Sequence, residues 1–200
     1  MKKTLLTLAA LLYAACVLAW TPRFSYGLEW GYTGTFLRTR QHNYIYSEGA
    51  RIIDNSAVWW YYSNGAVLAN AGADLTNHLN LSVYSGLLGV YSRRWMVPVE
   101  LRARWCPSGL ASDGFIAHTG AALVFPTTTL KETAVRLNIG AGYRFLVYKH
   151  ISVDFLASFN LTSDHDQIRD PDTNEYVPRS KVSSNLSEYW GVNIGAALNF

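Results

Sequence analysis

The sequence predicts an all-β fold: an antiparallel up-and-down transmembrane β-barrel of about eight strands, following a cleaved signal peptide. Three observations predict it. First, residues 189–200 have two unlike faces at period two. Trp190, Val192, Ile194, Ala196, Leu198 and Phe200 lie on one; Tyr189, Gly191, Asn193, Gly195, Ala197 and Asn199 lie on the other. An apolar face with aromatics near its ends, opposite a small or polar face, suits a strand between lipid and a polar lumen. Second, aromatic residues make up 14% of the chain and charged residues only 16%, the balance of a surface solvated by lipid and anchored by Trp and Tyr. Third, comparable alternation recurs about eight times, an even number, as single-chain bacterial barrels have.

The N-terminus reads as a secretory signal over residues 1–19. Lys2 and Lys3 precede an apolar stretch from Leu5 to Ala19, and Val17 and Ala19 provide a cleavage site before Trp20. A lipoprotein signal ending at Cys16 is the competing reading, weakened by Tyr13 where a leucine is usual. Losing 1–19 removes two lysines, which leaves fifteen Lys plus Arg against fourteen Asp plus Glu. A mature net charge of +1 gives no reason to expect a nucleic-acid partner. Only Cys106 remains, which excludes an internal disulfide and reads as a chemically unimportant turn residue. Residues 20–200 then form one barrel domain.

In chain order, residues 25–37 form the first expected strand, with Tyr26, Leu28, Trp30, Tyr32 and Phe36 outward. Residues 38–65 break the pattern and read as a long loop, with a turn signal at Asn64-Gly65. Strands are expected over 67–75, 79–91 and 95–105. The first two are joined by the tight connection Thr76-Asn77-His78, and the second has a possible bulge after Leu87. Pro98 is awkward in a ladder, yet the alternation runs through it. A Pro/Gly/Ser turn region at 106–114 leads to strands over 115–125, 135–147 and 151–161, then a polar loop over 163–188 and the last strand. If that strand runs down to a periplasmic C-terminus, loops 38–65 and 163–188 are extracellular and the short turns periplasmic.

Three segments stand out in order: Trp95-Met-Val-Pro-Val-Glu-Leu-Arg-Ala-Arg-Trp105, Phe115-Ile-Ala-His-Thr-Gly120, and Leu137-Asn-Ile-Gly-Ala-Gly-Tyr-Arg-Phe145 followed by 151–161. Together they resemble the small outer-membrane β-barrel family of Bacteroidetes-type bacteria, the PorT-like group. The resemblance covers roughly 79–162 and rests on the order of weak motifs. It implies an outer-membrane barrel that tolerates proline at position 98, and it implies no single activity.

Glu29, Asp74, Glu100, Arg102, Arg104, His118, Arg136, Arg144 and Asp154 fall on inward positions. An eight-stranded barrel is just wide enough to be filled by side chains, so these should pair as an ion network that plugs the lumen. A porin-like small channel is the alternative. A lipid- or envelope-modifying enzyme needs a nucleophile and base at the outer rim, where only His42 and His165 are expected, both in loops with no Ser/His/acid spacing. The acidic stretch from Asp164 to Glu175 partly mimics a calcium loop, but Ile168 takes a ligand position and Arg169 replaces the required glycine. No catalytic residue, metal or cofactor is therefore expected. Trp59, Trp60, Tyr61 and Tyr62 belong either to an interfacial belt or to a loop platform for a glycan or an envelope protein. Expected partners are outer-membrane lipid and the barrel-insertion machinery, which would read the terminal Phe200.

Overall fold

Alternation at period two becomes eight antiparallel strands in the computed structural model, which describes residues 23–91, 94–127, 133–149 and 151–200. They are β1 (Arg23–Ile45), β2 (Arg51–Asp74), β3 (Leu79–Tyr91), β4 (Arg94–Trp105), β5 (Gly114–Pro126), β6 (Ala134–Tyr148), β7 (Ile151–His165) and β8 (Val182–Asn199). Each pairs with its chain neighbours, and β1 also pairs with β8, so the sheet closes into a barrel of up-and-down order. Closure removes the unpaired edges that neither water nor hydrocarbon tolerates in a long apolar sheet. The seam is zipped to its last residue, since Phe200 and Tyr26 exchange backbone hydrogen bonds of 2.8 and 3.3 Å. The expected signal peptide, Cys16 and His150 lie outside the described residues.

The two faces segregate as alternation requires. Ile139 and Ile194 point outward at 64% and 68% exposure, whereas Tyr84 and Asp154 point inward at 0%. Aromatic pairs bound the outward apolar band at both ends. Tyr26 stacks on Phe200 at one end, and Phe36, Trp59, Phe159 and Trp190 form a continuous chain at the other. From Tyr26 to Phe36 along β1 is about ten residues. At about 3.3 Å rise and a tilt of about 40° this gives a band of about 25 Å, the height of a lipid-facing belt.

Pro98 stays in its strand because the ladder makes room for it. β4 pairs with β5 through Pro98↔Val124, while the β3–β4 pairing lapses between Ser85↔Val99 and Leu88↔Met96, opposite the residue that cannot donate. Small residues make room for larger ones inside. A Cβ on Gly120 would lie 2.4 Å from Glu100 Oε1, and one on Gly140 would lie 2.6 Å from His118 Cε1.

Two expected loops are mostly strand. Residues 38–65 are not a loop but the continuation of β1 and the start of β2, joined by a short turn at 46–50, and Asn64 and Gly65 pair with Thr33 and Tyr32 inside the ladder. A bulge hides this in the sequence. The register slips between Thr35↔Tyr62 and Leu37↔Trp59, and again between Thr35↔Gly191 and Leu37↔Trp190, so the parity of β1 shifts at Phe36. The loop at 163–188 shrinks to 166–181, because β7 runs to His165 and β8 begins at Val182. Strands β1, β2 and β8 therefore rise past the aromatic band as a wall above the shorter β3 to β6, with 23, 24 and 18 residues against 12 to 15.

Placing a charge on the outward face tests the assignment of that face to hydrocarbon. Ile194→Arg is expected to destabilise the barrel by about 2–4 kcal/mol in urea titrations of vesicle-reconstituted protein, as charges near a bilayer midplane do. An effect below about 0.5 kcal/mol would mean that this face meets water.

Candidate functional site

Inward positions of the strands stack the polar residues in tiers. Near the end where the two described termini meet, Asp154 on β7 accepts from Arg104 on β4 at 2.9 Å, from Arg144 on β6 at 2.8 Å through two nitrogens, and from Asn199 on β8 at 3.0 Å. Arg104 also donates to the Tyr84 hydroxyl. One tier above, Arg102 donates to Glu29 and Glu100, each at 2.6 Å, and lies 3.9 Å over the Tyr84 ring. The Glu29–Arg102 pair spans the lumen from β1 to β4, strands that are not neighbours in the sheet.

Of the nine residues expected in the lumen, Glu29, Glu100, Arg102, Arg104, His118, Arg136, Arg144 and Asp154 are buried there, and Asp74 is half-buried at the terminus-end mouth. Arg136 and His118 join no ion pair among the described residues; Arg136 Nη1 and His118 Nδ1 have no hydrogen-bond partner in the protein. Thr33, Asn70, Asn160, Thr162 and Asn193 also present polar atoms with no partner among the described residues. Each would cost about 1–3 kcal/mol if it stayed dry and unpaired.

A third cluster, which the sequence did not suggest, closes the outer end. Arg94 bridges Asp164 at 2.6 Å and Asp166 at 3.0 Å, and Arg38 reaches Asp166 at 3.0 Å. Tyr189 donates to Asp166 at 2.5 Å, and the Arg38 guanidinium lies 4.9 Å from the Tyr91 ring centroid and 5.5 Å from that of Tyr189. Burial opposes ionisation of Asp166, but Arg94, the Tyr189 hydroxyl and Arg38 together hold its carboxyl below the usual range. The signal was present in Asp164 and Asp166 at alternate positions; a loop assignment concealed that both point into the mouth.

The four-residue aromatic platform divides between two faces of β2. Trp59 stacks on Phe36 in the outer belt, while Trp60 stacks on Tyr62 and continues through Tyr91 to Tyr189 on the mouth side. His42 is not a loop histidine: it lies buried on β1, with Nε2 3.2 Å from Ser187 Oγ on β8. Burial lowers its pKa, against the pull of Asp166. His165 ends β7 and is exposed. Cys106 is not exposed as its turn position suggested; it packs with Ile116, Leu156 and Ala197.

The expected calcium-like stretch has its own arrangement. Asp170 accepts backbone N–H bonds from Asp172 at 3.0 Å, Thr173 at 3.3 Å and, from the β1–β2 turn, Ser47 at 2.8 Å. Among the described residues no group of three or more His, Cys, Asp or Glu side chains converges as a metal site.

No family model matches the sequence, and no curated protein matches it. Solved structures do match. The outer membrane protein OprG from Pseudomonas aeruginosa aligns over 90% of this chain and 97% of its own, at 10% identity and a TM-score of 0.50. The two share a fold. Ail, the attachment invasion locus protein of Yersinia pestis, aligns over 88% of this chain and 98% of its own at 10% identity and TM-score 0.35. The outer membrane protease OmpT from Escherichia coli aligns over 90% and 98% at 11% identity and TM-score 0.32. Scores that low carry no argument about this chain.

Two outcomes follow from the ion tiers and the Asp170 turn. Asp154→Ala should cost about 3–5 kcal/mol in unfolding experiments, because it leaves Arg104 and Arg144 buried without their shared anion; a loss under 1 kcal/mol would mean that the tier is wet. For Asp170, burial opposes ionisation, but the N–H donors of Asp172, Ser47 and Thr173 outweigh it and lower the pKa. The tie it makes between the outer turns is therefore fully present above the ordinary aspartate range near 3.9 and is lost as pH falls through the lowered value. Amide exchange at Ser47 and Asp172 should stay slow down to about pH 4 and accelerate below it, after correction for intrinsic rates.

Proposed function

We propose that this chain is a non-enzymatic integral outer-membrane barrel of a Gram-negative cell envelope, exported by a signal peptide over residues 1–19 and inserted through its terminal Phe200. The PorT-like resemblance supports placing it among the small barrels of Bacteroidetes-type bacteria. Its work is done by the wall of β1, β2 and β8 and the loop 166–181, which contact an envelope protein or glycan outside the cell. The single observation that carries this is the asymmetry of the barrel. Three strands extend well past a lipid-height band, and the mouth-side face of that extension carries the Trp60–Tyr62–Tyr91 stack beside Arg38 and Asp166.

Orientation follows from the same asymmetry, since short turns belong to the periplasm and the longer extensions to the exterior. The ion tiers support a lumen filled by side chains and closed to ions. In-cell crosslinking from a photoreactive residue placed at the exposed Asp172 is expected to capture an envelope protein or glycan, and Trp60→Ala with Tyr62→Ala to abolish the capture while heat-modifiable migration is kept. An unchanged crosslinking pattern in that variant, or stable conductance steps from the wild type in planar bilayers, would overturn this reading.

The enzyme alternative has one observation in its favour, the Ser187–His42 contact. Ser187 is 0% exposed, however, so its hydroxyl has no approach for a lipid ester. Ser187→Ala should leave envelope lipid acylation unchanged by mass spectrometry; a changed profile would establish the enzyme instead.

A further inference from the structure

At the terminus end the barrel opens into a cavity of about 620 Å³, in the size range of small-molecule sites. Its charged lining is mostly basic. Arg104 and Arg144 approach from β4 and β6, Arg23 from the start of β1, and Lys149 from the turn after β6, with Asp74 the acidic side chain of the lining. The two inner arginines are buried and share Asp154, so that group carries a net positive charge. Arg23 and Lys149 form no ion pair among the described residues. Asp74 is already engaged, accepting from Asn80 at 2.8 Å. The four cations of the cavity and its floor outnumber the two acids, Asp74 and Asp154.

Lys149 is also held in an uncommon conformation. Its φ is 30°, on the left-handed side that a lysine adopts only under constraint, and its ammonium lies 5.6 Å from the centroid of the Tyr148 ring. The tight turn thus places a cation at the rim of an already positive cleft. Neutral hydrogen-bonding groups complete the wall: the amides of Asn80 and Asn199 and the hydroxyls of Ser25 and Ser152. A concave site with surplus cations, low-dielectric walls and several hydroxyl and amide groups concentrates anions that accept many hydrogen bonds.

We propose that this vestibule binds a small, multiply charged anion bearing phosphate or carboxylate groups. Rim cations draw the anion in, and the Arg104–Asp154–Arg144 floor stops it short of the lumen. The site requires only the folded barrel, so it stands or falls separately from the role assigned to the opposite end.

Calorimetric titration of the full folded barrel in zwitterionic micelles at low salt tests it, with inorganic pyrophosphate and citrate as separate probes. Saturable binding near one equivalent is expected for at least one probe. Its affinity should drop ten-fold or more in an Arg23→Glu, Lys149→Glu variant and stay unchanged in Lys181→Glu, which alters charge at the far end. Both substituted rim residues are exposed, and heat-modifiable migration confirms folding of the variant. Binding by pyrophosphate alone assigns a phosphate ligand, and by citrate alone a carboxylate ligand. Absence of saturable binding by both probes, or equal affinity in the rim variant, would overturn the proposal.

Discussion

The carboxylate of Asp154, enclosed between Arg104 and Arg144, is the interaction on which the rest of the structure depends. A narrow barrel turns half of every strand's side chains inward, away from bulk water. Charges placed there cost least where each meets a partner with good geometry. Asp154 meets three, from β4, β6 and β8, and so pins β7 against strands on both sides of it and across the lumen. Glu29 and Arg102 repeat the device between β1 and β4. Misregister by one residue at any of these strands would turn a charge toward the apolar exterior, so the ion tiers select one register as well as one closure.

The tiers also divide the molecule along its axis. Below them lies a basic vestibule; between the lower tiers and the outer cluster lie polar inward side chains; above lies a wall whose mouth side is aromatic and charged. The outer cluster of Arg38, Arg94, Asp164 and Asp166 belongs to both barrel and wall, because Arg38 lies on the extended part of β1 and Arg94 begins the short β4. Aromatic rings serve two purposes here. Those of Phe36, Trp59, Phe159 and Trp190 mark the outer border of the band, whereas those of Tyr62, Tyr91 and Tyr189 brace the mouth and hold Arg38.

Where one face met apolar surroundings and the other a polar interior, the residues could be read directly. The alternation over 79–91, 95–105 and 135–147 places those strands to within a residue or two, and the inward ions of Glu100, Arg102, Arg104 and Arg144 stand out against apolar neighbours. Residues 38–65 lacked that contrast. Above the band both faces of a strand meet water or rim, so Arg38, Arg40, His42 and Tyr44 alternate with polar residues and leave no apolar stripe. A bulge at Phe36 then breaks the parity that remains. His42, Asp164 and Asp166 were missed for this reason, since a residue read as part of a loop is assigned no face.

Alternation, aromatic placement and charge economy in the sequence alone determined a closed antiparallel barrel with an ionic interior, because only that fold serves two unlike solvents along one strand. Three-dimensional closure decided the rest. It chose which charges meet across the lumen, shifted the parity of β1 at Phe36, raised three strands into a wall and gathered Arg23, Arg104, Arg144 and Lys149 around one cavity. Those outcomes depend on register and stagger among strands distant in the chain, and local pattern carries no information about which of several equally alternating neighbours a residue will face.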